Sequence, residues 1–211
     1  MTGAYWGAAP LPAFGIHYSF SKDELLQDES MTVPANLKTS PYVVDPGTRI
    51  GHVHLKVANL ERAIAFYCEL LGFEIMQQLG DSAAFLSAGG YHHHIALNTW
   101  ESLGGSPPPP GATGLYHTAI VYPTRAALAG ALHRVLAARI PLEGASDHGV
   151  SESIYLRDPD ENGVELYCDK PKESWPRNAD GTLAMYTRRL DLKALLNEAT
   201  DPNLSAGPRD L

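Results

Sequence analysis

The strongest constraint on this chain is a repeat: one order of strand and helix signals runs along it twice, at residues 50–100 and again at 115–170. In the first copy, residues 50–57 alternate and are rich in β-branched side chains, which predicts a strand. Asn59 stands where a helix cap belongs. Leu60, Ala63, Ile64, Tyr67, Leu70 and Leu71 follow at spacings of three and four, which predicts a helix over 60–71. Gly72 sits where the left-handed closing residue is wanted. Three short strands are predicted at 73–78, 83–87 and 92–98, with turns at Gly80-Asp81 and Gly89-Gly90. The second copy predicts a strand over 116–122, a helix over 125–139 capped by Thr124, and strands at 141–144, 151–157 and 163–168. The hexapeptide starting at His52 aligns with the one starting at His117, a period near 65 residues. This pattern implies an α+β fold: two βαβββ modules whose strands pool into one curved mixed sheet around a central site, with helices outside.

The flanks complete the division. Between the copies, Gly104, Gly105 and four consecutive prolines exclude both helix and central strand. The chain therefore reads as an N-terminal arm (1–48), a first module (49–100), a linker (101–114), a second module (115–172) and a C-terminal extension (173–211). The arm is expected to be extended apart from one helical turn over 21–27. The extension carries Leu190, Leu192, Leu195 and Leu196, a short amphipathic helix after Asp191. Sixteen basic residues against twenty-four acidic ones give a net charge of −8, which argues against nucleic acid and anionic membrane as partners. No apolar run approaches the roughly 20 residues that span a bilayer, and no secretory pattern opens the chain. A cytoplasmic protein with a small-molecule task is expected. Cys68 and Cys168 are too few for a disulfide framework and read as buried thiols.

Nine histidines offer many candidate ligands, and the repeat sorts them. Superposing the copies puts His52 on His117 and His54 on Ala119. Equivalent positions converge on a pseudo-two-fold axis, which selects His52 over its neighbour. Glu165 lies in the apolar run Gly-Val-Glu-Leu-Tyr, where a carboxylate is costly unless it is paired or metal-bound. His52, His117 and Glu165 thus form a candidate two-histidine, one-carboxylate metal site, the ligand set of non-haem Fe(II) oxygenases. Ala96 stands at the position equivalent to Glu165, so a fourth protein ligand is missing from the pattern.

Several motifs carry a resemblance to a known family. His52-Val-His-Leu-Lys-Val, Asn59-Leu-Glu-Arg-Ala, Phe66-Tyr67 and Leu71-Gly72-Phe73 resemble the module start of the vicinal-oxygen-chelate superfamily. His148, Ile154-Tyr155, Asp158-Pro159 and Glu165 are similar to the signature of its type I extradiol dioxygenases, of the catechol 2,3-dioxygenase kind; the chain departs from it at Ser146 and Glu161. The resemblance covers residues 50–170 and implies a one-domain member. It implies Fe(II), with Mn(II) suiting the same ligands, on His52, His117 and Glu165. It also implies a small aromatic diol and O2 as reaction partners, in a homodimer. Tyr155 would hydrogen-bond the ionised catechol oxygen, His93 would take a substrate proton, and His148 would line the pocket. Regular alternation puts His93 on the opposite strand face from His92 and His94. Two other readings use the same scaffold: a glyoxalase-like isomerase or thiol transferase, for which His94 or His54 would join the site, and a non-catalytic protein that sequesters a drug or metabolite.

Overall fold

A computed structural model of the chain describes residues 41–199. The chain divides between Arg49 and Ile50, and the elements below belong to the unit that starts at Ile50. The expected turn over 21–27 lies outside the described residues.

Both modules form, with the expected element order. The first comprises β1 (Val53–Lys56), α1 (Leu60–Ile64), β2 (Glu74–Leu79), β3 (Ala83–Ser87) and β4 (Ile95–Asn98). The second comprises β5 (Thr118–Val121), α2 (Arg125–Ala137), β6 (Leu142–Asp147), β7 (Ser151–Arg157) and β8 (Gly163–Asp169). The two caps are those the sequence predicts: Asn59 accepts from the Arg62 amide and Thr124 from the Ala127 amide. The first helix differs in its second half. From Ala65 to Leu70 it widens into a π-helical turn, in which the consecutive rings of Phe66 and Tyr67 are both buried. Gly72 then closes it at a φ of 86°.

The strands do not pool into one sheet. They form a four-stranded sheet ordered β1-β4-β3-β2 and a five-stranded sheet ordered β5-β8-β7-β6-β9, the last being Arg188–Arg189, and among the described residues no ladder joins the two. The modules meet through side chains instead. Tyr67 donates to Asp158 at 3.0 Å, and Arg62 and the Ala58 amide both donate to Asp160. One apolar cluster spans both modules, taking Leu55, Val57, Ile95 and Leu97 from the first and Leu128, Leu132, Ile154 and Leu166 from the second. Burying each such side chain contributes about 1.5–3 kcal/mol. The strand residues among them occupy one face of each sheet, with Leu128 and Leu132 supplied by α2, and leave the other face for the site.

The ladder registers repeat between modules. Val53 pairs Ile95 and His54 pairs Ala96; Thr118 pairs Val164 and Ala119 pairs Glu165. His52 and His117 each precede the first paired residue of their strand. The structure therefore makes Ala96 the counterpart of Glu165, as the sequence alignment does. Gly163 permits this packing in the second module, because a Cβ there would lie 2.1 Å from the Tyr116 carbonyl oxygen and 3.0 Å from His117 Cβ.

After β8 the chain makes a 3-10 turn (Lys172–Ser174), then returns as β9 (Arg188–Arg189) against β6, and ends in α3 (Leu192–Leu196) capped by Asp191. Leu190 and Leu195 are buried in the common core.

Candidate metal centre

Four of the six residues singled out in the sequence come together on the open face of the second sheet. Glu165 projects from β8 and Tyr155 from the paired position of β7. His117 Nε2 lies 2.9 Å from Glu165 Oε2, and the Tyr155 hydroxyl donates to Glu165 Oε1 at 3.0 Å. His148 Nε2 lies 2.7 Å from the same hydroxyl. His117, Tyr155 and His148 line a cavity of about 340 Å³ together with Tyr116, Arg157 and Thr187. Burial, and then the Glu165 carboxylate beside it, push the Tyr155 hydroxyl pKa up.

His117 and Glu165 offer one nitrogen and one oxygen donor of the kinds that bind divalent metals. Nitrogen and oxygen ligands sit about 2.1 Å from such an ion, so two at right angles stand about 3.0 Å apart. The His117–Glu165 separation of 2.9 Å is that of a hydrogen-bonded pair and is also compatible with that spacing. An imidazole and a carboxylate also suit iron or manganese by ligand type. His117 Nδ1 is buried and has no hydrogen-bond partner among the described residues, so Glu165 is the polar group that holds this ring.

His52 is not in this group. It is exposed, its ring 4.4 Å from that of His93, and His93 packs edge-on to Phe85 at 5.2 Å. Among the described residues no three His, Cys, Asp or Glu side chains gather closely enough to hold a metal. The chain thus presents two parts of the expected triad in one module and the third on the equivalent position of the other.

His93 reaches the His52 side because the strand predicted over 92–98 begins only at Ile95. Gly89 and Gly90, at φ 74° and 78°, break the alternation that would have sent His93 to the opposite face. Burial, and next the neighbouring His52 and His92, hold the His93 pKa below the ordinary imidazole value. His54 and His94 are otherwise engaged, with Asn98 at 2.8 Å and Ser87 at 3.2 Å respectively. Sequence reasoning missed Tyr186 and Thr187, which contact His148 from the returning C-terminal segment. A two-residue strand has no periodicity to detect.

No helix of the described residues is long and apolar enough to cross a membrane. Against known proteins, a family model described as Glyoxalase/Bleomycin resistance protein/Dioxygenase superfamily matches residues 49–166. A catechol-2,3-dioxygenase of Bacillus subtilis (strain 168) is 39% identical over 163 residues, covering 77% of this chain and 56% of that protein. Biphenyl-2,3-diol 1,2-dioxygenase 3 of Rhodococcus globerulus is 33% identical over 135 residues, covering 60% of this chain and 67% of that one. The chain thus spans only a little over half the length of the first of these relatives. Among solved structures, a glyoxalase/dioxygenase from Nostoc punctiforme aligns over its whole length and 63% of this chain, with a TM-score of 0.51 and 20% identity, a likeness of fold. By its match over residues 49–166 and by its paired βαβββ modules, this chain belongs to the glyoxalase/bleomycin resistance/dioxygenase superfamily.

Proposed function

We propose that this chain is a cytoplasmic, Fe(II)-dependent extradiol dioxygenase that opens a catechol-type ring with O2. The observation that carries the reading is the polar row on one open sheet face: His117, Glu165, Tyr155 and His148, linked at 2.7 to 3.0 Å, with His117, Tyr155 and His148 lining one cavity. The named activities of the two diol dioxygenases similar to this chain point the same way.

His117 and Glu165 would hold the metal, with His52 as the third ligand. When bound, the ion would supply positive charge for the two oxygens of an ionised diol and an open position for O2. The chain's own groups do the rest. Tyr155 presents a hydroxyl to a substrate oxygen from the cavity wall. His93, its ring tilted against that of His52, accepts a proton from the second hydroxyl and returns it when the ring opens. Phe85 excludes water beside it.

We further propose that the working unit is a homodimer in which His52 and His93 of one copy face His117 and Glu165 of the other. Support comes from the separation of the three ligands within the chain and from the two edge strands, β1 and β5, that adjoin them. Tyr116 and Val121, 82% and 55% exposed, give β5 an apolar border suited to an interface.

The test is anaerobic loading with Fe(II) followed by a panel of substituted catechols and O2. The expected result is a yellow ring-fission product with one O2 consumed per diol. Turnover of no catechol, with isomerase or thiol-transfer activity supported by Ni(II) or Co(II), would replace this reading.

A further inference from the structure

The segment that returns after β8 lies outside the family match, which ends at residue 166, yet it reaches the candidate site. Its β9 pairs with the end of β6, Ser146 opposite Arg189 and Asp147 opposite Arg188. The Tyr186 amide donates to the His148 carbonyl at 3.2 Å. The Tyr186 carbonyl and the Thr187 hydroxyl both stand 3.2 Å from His148 Nδ1. The Arg188 guanidinium lies over the Tyr186 ring at 4.2 Å, and Thr187 lines the cavity. The fit is close: a Cβ on Gly149, whose φ is 79°, would lie 2.7 Å from the Tyr186 ring and 2.8 Å from Pro176.

We propose that this C-terminal strap, through the Tyr186 carbonyl and Thr187, is a positioning element that fixes the tautomer and orientation of His148. A carbonyl oxygen can only accept a hydrogen bond, so the ring nitrogen facing it carries the proton. A neutral His148 is thereby held as the Nδ1–H form. Its Nε2 lone pair points into the cavity at the Tyr155 hydroxyl, 2.7 Å away. The Tyr155 hydroxyl has one proton and two acceptors, His148 Nε2 and Glu165 Oε1. With Nε2 fixed as an acceptor, His148 competes for that proton and for the proton of any hydroxyl that replaces Tyr155's in the cavity. A ring free to turn over would offer Nε2–H instead, donating to the Tyr155 oxygen while that hydroxyl donates to Glu165 Oε1, and would no longer compete for a proton. Thr187 and Tyr186 therefore act through His148 and not on substrate.

The proposed tautomer is argued from the strap geometry alone; its catalytic consequence rests on the ring-cleavage reading. The direct test is the ring 15N spectrum of His148 in the full-length, metal-free chain, with Thr187→Val, Thr187→Ser and Gly149→Ala variants. The wild type and Thr187→Ser are expected to show the Nδ1–H form. Gly149→Ala, which pushes the strap away, is expected to show mixed tautomers, and Thr187→Val a partial shift towards them. An Nε2–H ring in the wild type, or an unchanged spectrum in both Gly149→Ala and Thr187→Val, would overturn the proposal. In the metal-loaded enzyme, Thr187→Val should lower kcat on the order of tenfold, the lower end of what losing an outer-shell partner costs, with KM within about twofold and recovery in Thr187→Ser. If no catechol is turned over, the ring-cleavage reading fails and the spectrum still decides the role of the strap.

Discussion

At the scale of single residues, Tyr155 and Gly163 do different kinds of work. Tyr155 joins His148 to Glu165, so Tyr155→Phe removes a shared hydroxyl from a ring that otherwise keeps its packing. Turnover of a catechol is expected to fall about 100-fold, the low end of a proton-handling contribution, with the melting temperature nearly unchanged. Gly163 is a packing requirement. A methyl group there meets the Tyr116 carbonyl at 2.1 Å, so Gly163→Ala should cost about 1–3 kcal/mol, read as a lower melting temperature. Because the displaced neighbour is His117, metal affinity should fall with it. His52, His117 and Glu165 were legible in the sequence as candidates because the repeat aligns them and an acidic residue in an apolar strand stands out. The path of His93 was not, because it depends on two positive-φ glycines upstream of the strand.

At the scale of elements, the β7–β8 turn is the joint between modules. Asp158 is 2% exposed; its Oδ1 accepts from the Asp160 and Asn162 amides, and its Oδ2 from Asn162 Nδ2 and the Tyr67 hydroxyl. Tyr67→Phe removes one of four donors and should cost about 1–2 kcal/mol in denaturant unfolding; Asp158→Ala strips all four of their acceptor and should cost more. The end of β6 makes a pH-dependent contribution. Burial would raise the Asp147 pKa, but Lys170 and the Gly149 amide outweigh it and hold it below the ordinary value. A depressed carboxyl stabilises the fold fully above its unfolded pKa, near 3.9, and that stability is lost as pH falls through the lower folded value. Asp147→Asn should therefore lower stability at pH 7, and the gap to wild type should close on acidification below about pH 4. Strand and helix order was readable because caps and periodicity are local signals. The two-residue β9, the strap and the division into two sheets depend on long-range partners and left no such trace.

At the scale of the whole molecule, the proposed metal site draws unequally on the two modules: His117 and Glu165 from the second, His52 and the empty position at Ala96 from the first. If the site is shared between copies, mixing inactive His52→Ala and His117→Ala chains after partial unfolding and refolding should restore on the order of a quarter of wild-type activity, because half the dimers are mixed and each carries one intact site. Recovery of nothing would place the whole site within one chain. The proposed three-ligand site is tested most directly by metal titration of the apo-protein, followed calorimetrically under anaerobic conditions with Fe(II), for the wild type and for His52→Ala, His117→Ala and Glu165→Gln. One ion per chain is expected in the wild type, with a large loss of affinity in each of the three variants. Wild-type affinity in His52→Ala, or no binding by the wild type at all, would contradict it.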